Sequence, residues 1–205
     1  MKTTVLPAES TEGLDRALEV LRGGGLVAFP TDTVYGLGAM AFLPEAVGRI
    51  FSAKGRPADK AIPVLLGRTA DLDVIAADVP EMAWRLANRF WPGPLTIVLR
   101  KNPKLPDIVS PTSTVAARVP GHTAARRLLQ AAGPMAVTSA NMSGQPDAST
   151  AADVLAQLGG RVDLVLDGGR SPGGVPSTIV NCLGARPVVL RAGPISTEEL
   201  GAALD

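Results

Sequence analysis

Short apolar runs that end in glycine- or proline-containing loops are the feature that most restricts how this chain can fold. The 22 glycines and 18 prolines fall in short loops between these runs and not in one linker. Apolar runs bounded in this way are typical of buried strands, and such loops allow close backbone approaches. We therefore expect one compact α/β domain, residues 1–205, which is long enough to bury a sizeable core.

Helical and strand-like segments are mixed along the whole sequence. Helices are predicted between residues 10 and 23 and between 44 and 55, and also at 80–90, 122–132, 150–158 and 196–204. Strands are predicted at 26–29, 62–66, 95–99, 115–119, 135–138, 162–166, 177–183 and 187–191, with a loop at 31–38. Strands follow one another near the C-terminus, which favours an open, twisted, mixed sheet with flanking helices over a purely parallel one.

Composition limits where the protein works and what it binds. Twenty basic and nineteen acidic residues give a net charge of +1, and aromatic residues make up 3%, so a broad nucleic-acid surface is not expected. No apolar run approaches the roughly 18 residues of a membrane span, and the first residues lack the apolar block of a secretory signal. We expect a cytosolic protein without membrane contact, in which the single Cys182 is a small buried hydrophobe.

Several common chemistries lack the residues that they require. His122 is the single histidine, so a histidine-based zinc site or a catalytic triad would depend on one residue, and its place at a helix start favours a solvent-facing role. The sequence contains neither a G-x-x-x-x-G-K-[ST] phosphate loop nor a G-x-G-x-x-G after a strand. No metal site is predicted, and any nucleotide must bind by another device.

Two polar segments in the first third of the chain are candidates for a binding site. Residues 30–38, PTDTVYGLG, place hydroxyls and a carboxylate where a buried strand ends, although Thr31 and Asp32 could equally bond their own backbone in a turn. Lys54 and Arg56 lie at the exit of a predicted helix, and with Lys60 they place three cations in a loop that contains glycine and proline. Cations placed in this way suit phosphate or carboxylate oxygens, but they could also form a solvated helix end.

Further candidates lie in the second half of the chain. Residues 138–144, TSANMSG, follow an apolar strand and could orient a ligand or form an ordinary turn. Arg118 lies among apolar residues of a predicted strand, so its charge needs either a protein acid or a ligand carboxylate. Thr114, Ser177 and Arg191 are weaker candidates at strand ends.

Taken in order, these segments resemble the YrdC-like threonylcarbamoyl-adenylate synthase family over residues 26–193. The shared pieces are PTDTVYGLGA at 30–39, AKGRP at 53–57, WPGPLT at 91–96, ARVPGH at 117–122, TSANMSG at 138–144 and PSTIV at 176–180. The family pairs a K-x-R element with an S-x-N element, which here fall on Lys54, Arg56, Ser139 and Asn141. The resemblance implies a YrdC/RibB-like α/β fold with a positively charged cavity, in the short, single-domain form of the family.

The resemblance also implies an activity and a set of site residues. Family members are nucleotidyltransferases that condense L-threonine, bicarbonate and ATP to threonylcarbamoyl-AMP, which a partner complex uses to modify tRNA. Magnesium is expected to arrive with the nucleotide. The catalytic group would comprise Lys54, Arg56, Ser139 and Asn141, with Lys54 steadying bicarbonate or carbamate. The threonine site would comprise Thr33, Arg118, Ser139 and Ser177, and the ATP site Arg56, Lys60, Thr114, Asn141, Ser149 and Arg191.

Two positions differ from the family pattern, and two other functions are compatible with the sequence. Many relatives carry Pro and His where this chain has Ala61 and Leu65, so Leu65 makes the expected threonine pocket more apolar and is left out of the site. One rival is a carbamoyl-adenylate-forming domain of the hydrogenase-maturation type. The other is a module that binds double-stranded RNA or tRNA without turnover, and a weak tRNA contact is compatible with the enzyme as well.

Overall fold

The structure is a computed structural model that describes residues 2–172 and 175–204. The strands in this part of the chain are β1 (Thr4–Pro7), β2 (Val27–Phe29), β3 (Gly36–Met40), β4 (Val64–Leu65), β5 (Leu95–Arg100), β6 (Thr114–Arg118), β7 (Met135–Ser139), β8 (Leu164–Asp167), β9 (Thr178–Asn181) and β10 (Val188–Arg191). The α-helices are α1 (Thr11–Arg22), α2 (Pro44–Lys54), α3 (Leu72–Ile75), α4 (Glu81–Phe90), α5 (Thr123–Ala132), α6 (Ala151–Leu158) and α7 (Thr197–Ala202). A 3-10 turn, Thr69–Asp71, precedes α3.

All of these strands belong to one sheet, in the order β1-β8-β2-β3-β7-β4-β6-β5-β9-β10. The pairs β1–β8, β8–β2, β4–β6 and β5–β9 are parallel. The pairs β2–β3, β3–β7, β7–β4, β6–β5 and β9–β10 are antiparallel. The predicted mixed α/β sheet is therefore confirmed.

Successive residues of a strand point to opposite faces of the sheet, and this alternation separates two apolar clusters. In β8, Leu164 and Leu166 join α1 and α5 in one cluster, which also takes residues from β2, β4 and β7. Val165 between them joins α2, α4 and α6 in the larger cluster. Helices therefore cover both faces, as predicted.

The helix ends follow the signals in the sequence. The hydroxyl of Ser10 accepts a hydrogen bond from the backbone N–H of Gly13 at the start of α1, and Ser196 and Glu199 form the predicted capping box of α7. Gly55 ends α2 with a φ of 61°, a left-handed conformation that favours glycine.

No helix in the described part of the chain is long and apolar enough to cross a membrane. Cys182 is buried as predicted, and burial raises the pKa of its thiol to about 11.

The predicted loop at residues 31–38 is wrong in its second half. Gly36–Met40 forms β3, which pairs with β2 on one side and β7 on the other. Glycines are uncommon inside strands, but here they permit close packing, because a Cβ atom on Gly38 would lie 2.6 Å from Cε of Met135 and 3.1 Å from the Phe29 ring. The short elements β1 and α3 were not predicted either, since β1 is a largely exposed edge strand and α3 has only four residues.

We expect Gly38→Ala to lower the free energy of unfolding by about 1–3 kcal/mol, because the new methyl group overpacks β3 against Met135 and Phe29. Urea unfolding measures this change. Gly201→Ala in α7 is the matched control, because a Cβ there meets no atom within 4 Å and alanine favours the helix. Equal stability of the two variants would show that β3 does not require glycine.

Candidate active site

A cavity of about 310 Å³ opens on the sheet face opposite α2, α4 and α6. Its floor follows from strand alternation: Leu65 and Arg118 line the cavity, whereas their neighbours Val64 and Ala117 are buried in the larger apolar cluster. The lining includes six of the predicted site residues, namely Thr33, Arg56, Arg118, Ser139, Ser177 and Arg191. Six segments of the chain therefore meet at one site.

Arg118 is held by three hydrogen bonds at the cavity floor. Its Nη2 donates to Oδ1 of Asp32 at 2.6 Å, its Nη1 to the Thr33 hydroxyl at 3.2 Å and its Nε to the Gly93 carbonyl at 3.0 Å. The Thr31 hydroxyl meanwhile donates to the Val34 carbonyl at 2.7 Å, so residues 31–34 also form the turn that the sequence allowed. Asp32 thus supplies the protein acid that the buried Arg118 needs in this structure.

Arg191 and Ser177 form another part of the lining. Nε and Nη2 of Arg191 donate to the Ser177 carbonyl at 3.1 and 2.8 Å, and Nη2 also donates to the Ser177 hydroxyl at 3.2 Å. The Ser177 hydroxyl lies 2.8 Å from the hydroxyl of Thr96 on β5. Burial, with the nearby positive charge of Arg118, lowers the pKa of Arg191. Two guanidinium groups are therefore close enough to act on one ligand.

Arg56 completes the positive lining from the segment after α2. Its Nη2 donates to the Ala61 carbonyl at 2.9 Å, and burial lowers the pKa of its guanidinium. Lys60 lies in the same segment but is exposed and outside the cavity lining. Thr114 lies at the far end of β6 from Arg118, and Ser149 donates its backbone N–H to Asp153. The structure does not bring these last three residues into the lining.

Lys54 and Asn141 are buried and do not line the cavity. They lie behind the cavity wall, which is the part of the lining that Ser139 forms. Lys54 is the last residue of α2, as the predicted helix exit requires, but it is 2% exposed, so the expectation that it lies in a loop away from the core is wrong. Its ammonium donates to the carbonyls of Ser139 and Asn141, and it lies 3.4 Å from Oδ1 of Asn141. Burial and the charge of Arg56 lower the pKa of Lys54 to about 8, against the opposing charge of Asp147. At neutral pH the group remains mostly protonated.

Several lining residues were missed from the sequence or left out of the predicted site, among them Thr96, Asp147 and Leu65. Thr96 is a polar residue in an apolar strand, the same signal that identified Arg118, whereas Asp147 carries no such signal. Leu65 was left out of the predicted site, yet it forms part of the floor. Asp147 is the single carboxylate among the lining residues that the structure describes.

The site's donor set consists of cations and hydroxyls. Among residues 2–172 and 175–204, no group of three or more His, Cys, Asp or Glu side chains could hold a metal ion. His122 occupies the N-cap position of α5 outside the cavity lining, and it is half-buried where a solvent-facing role was expected. The arrangement can bind anions and orient them, which is the chemistry that carboxylates and phosphates require.

The chain is similar to proteins of known activity over most of its length. A threonylcarbamoyl-AMP synthase from Pyrococcus abyssi is 44% identical over 182 residues, which are 88% of this chain and 54% of that protein. A relative from Mycobacterium tuberculosis is 42% identical over 199 residues, covering 97% of this chain and 92% of the relative. The chain thus spans about half of the first relative and nearly all of the second.

A solved structure and a family model agree with this similarity. The crystal structure of Pyrococcus abyssi Sua5 complexed with L-threonine superposes with a TM-score of 0.93 at 40% identity, covering all of this chain (100%) and 61% of that one. The Sua5/YciO/YrdC family model, described as "Telomere recombination", matches residues 19–193. The resemblance drawn from the sequence is confirmed: this chain belongs to the Sua5/YciO/YrdC family.

Proposed function

We propose that the chain is a threonylcarbamoyl-AMP synthase, a nucleotidyltransferase that condenses L-threonine, bicarbonate and ATP and releases pyrophosphate. The observation that carries this proposal is the cavity, in which Arg56, Arg118 and Arg191 surround hydroxyl groups and one carboxylate. The activity of the Pyrococcus abyssi relative supports it, as does the L-threonine bound in the Sua5 crystal structure. The activity stays a proposal for this chain, which spans 54% of that relative.

L-Threonine would bind at Thr33, Arg118, Ser139 and Ser177. The guanidinium of Arg118 has five N–H groups, and the hydrogen bonds described above use three of them. The two that are left can face the threonine carboxylate. Hydroxyls at Thr33, Ser139 and Ser177 are small donors and acceptors that can orient the rest of a compact polar substrate. Leu65 on the floor offers an apolar surface to the threonine methyl group.

ATP would bind beside threonine. Arg56 and Arg191 line the cavity and suit the phosphates, because a planar guanidinium can hold two oxygens at once. The remaining residues assigned to ATP are Lys60, Thr114, Asn141 and Ser149. Lys60, Thr114 and Ser149 would contact parts of the nucleotide that extend beyond the cavity, and Asn141 would act through the loop that it holds.

The reaction needs positioning and charge neutralisation. The threonine amine attacks the carbonate carbon and water is lost, which gives a carbamate. A carbamate oxygen then attacks the α-phosphorus of ATP, the bond to the β-phosphate breaks, and pyrophosphate leaves. Negative charge develops on phosphate and carbamate oxygens during this step. Cations that are already held in place stabilise this charge at little cost in reorganisation. The three arginines supply those cations.

The proposed activity also implies a metal ion, an acceptor for the product and a cellular location. Magnesium would come with the ATP phosphates, since Asp147 is the single carboxylate among the described lining residues and cannot form a cage alone. The product would pass to a complex that transfers the threonylcarbamoyl group to tRNA, with at most a weak tRNA contact by this chain. We propose a cytosolic location, where ATP and tRNA are both available.

Pyrophosphate release from ATP tests the activity. With bicarbonate present, we expect release to depend on L-threonine and to fall sharply with serine, glycine or no amino acid. Mass spectrometry should detect threonylcarbamoyl-AMP in the threonine reaction. Tight, salt-sensitive tRNA binding without ATP turnover would instead identify the chain as an RNA-binding module.

Arg56→Ala should lower kcat/KM for ATP by about 100-fold or more, because charge-assisted hydrogen bonds to phosphate contribute about 1.5–3 kcal/mol each. Arg56→Lys keeps the charge and loses the planar fork, so it should fall between the wild type and Arg56→Ala. Near-normal pyrophosphate release by Arg56→Ala would remove this residue from the site.

Arg118→Gln should raise the threonine KM by about 10- to 100-fold while changing the ATP KM much less. It should also lower thermal stability, because Asp32 would lose its partner while only partly exposed. Arg100→Gln is the matched control, since Arg100 forms an exposed ion pair with Asp78 at the end of β5. A loss of stability with an unchanged threonine KM would assign Arg118 a purely structural role.

A further inference from the structure

The buried ammonium of Lys54 is surrounded by acceptors from one short loop. An ammonium group has three donors and no acceptor. The structure offers it three oxygens, which are the carbonyls of Ser139 and Asn141 and Oδ1 of Asn141. With 2% of the residue exposed and no place in the cavity lining, Lys54 would have to give up an internal hydrogen bond to contact a substrate.

The contact between Lys54 and this loop runs in both directions. The backbone carbonyl of Lys54 accepts a hydrogen bond from the Ser143 N–H at 2.9 Å. The side-chain amide of Asn141 donates to the carbonyls of Met142 at 3.0 Å and Gln145 at 2.6 Å. Lys54 and Asn141 therefore fix the loop at residues 139–145 against the end of α2.

Ser139 is the one residue of this hydrogen-bonded group that reaches the cavity. It is the last residue of β7 and lines the cavity, while its carbonyl binds the Lys54 ammonium on the other side of the wall. Two carbonyls two residues apart converge on one nitrogen, so the backbone of residues 139–141 has little freedom to move. A shift there would displace the Ser139 hydroxyl.

We propose that Lys54 is a positioning residue, which fixes the backbone of residues 139–141 and through it the Ser139 hydroxyl, and does not itself hold bicarbonate. This inference rests on the proposed synthase activity for its effect on turnover. Its effect on the loop is independent of that activity. A charged group suits this purpose because buried carbonyls need strong donors, and apolar replacement would leave them unpaired.

A double-mutant cycle tests the kinetic part. Lys54→Met should raise the threonine KM by about tenfold and lower kcat, while the bicarbonate KM changes less than about twofold. In a Ser139→Ala background, Lys54→Met should change the threonine KM much less, because the hydroxyl that it positions is already absent. A selective rise in bicarbonate KM, or an equal effect of Lys54→Met in both backgrounds, would overturn the proposal.

Lys101→Met is the matched control. Lys101 is half-buried, with 8% of its side chain exposed; its ammonium donates to the Ser110 carbonyl at 2.7 Å and also pairs with the exposed carboxylate of Asp107. It lies outside the cavity lining, so its loss should reduce stability without changing the threonine KM. If both variants raise the threonine KM equally, the effect of Lys54 is one of general stability and the proposal fails.

Hydrogen exchange on the protein without substrates tests the structural part. Lys54→Met should speed exchange of the Ser143 and Ala140 amides, which donate to the carbonyls of Lys54 and Tyr35. Lys101→Met should leave these two amides unchanged. Unaltered exchange in Lys54→Met would overturn the positioning role even if turnover is lost. If the wild type shows no threonine-dependent turnover, the proposed activity fails while this measurement still decides what Lys54 does.

Discussion

The alternation of side chains along the sheet is the constraint on which both the core and the site depend. In β4 and β6, Val64 and Ala117 enter the large apolar cluster while Leu65 and Arg118 face the cavity. A strand can do both because its successive residues point to opposite faces. A shift of register by one residue would bury the Arg118 guanidinium among α2, α4 and α6 and would expose apolar residues. The core therefore fixes the register, and the register fixes the site.

The charges of the site depend on their partners as much as on their positions. Arg118 is nearly buried, and its ion pair with Asp32 offsets part of the cost of removing the guanidinium from water. Arg191 is held by the carbonyl and hydroxyl of Ser177, and Arg56 by the Ala61 carbonyl. Because these arginine side chains are already anchored, they need to move little when anionic substrates bind. Fixed charges stabilise a reaction most when they do not have to reorganise.

The sequence predicted the strands with strong apolar runs and the helices with clear caps, because burial and capping leave local patterns. Gly36–Met40 was missed as a strand because glycines usually indicate a loop. The reason for glycine at position 38 is its close contact with Phe29 on β2 and Met135 on β7, which the local sequence does not reveal. Arg118 was found because a charge among apolar residues is a local anomaly. Asp147 gave no local signal, since only the fold brings it into the same cavity lining as Arg56 and Arg191. Leu65 was left out of the predicted site because it is apolar, yet the alternation of side chains along β4 places it on the cavity floor.

The spacing of the K-x-R and S-x-N elements has a common physical explanation. Gly55 adopts a left-handed conformation between Lys54 and Arg56, so the chain turns, and one cation points behind the cavity wall while the other lines the cavity. β7 ends at Ser139, which faces the cavity, and the chain then bends so that Asn141 lies behind the wall. Had the strand continued, residues 139 and 141 would share a face. Each element therefore contributes one residue to the surface that substrates would meet and one to the support behind it, and the two supports bind each other.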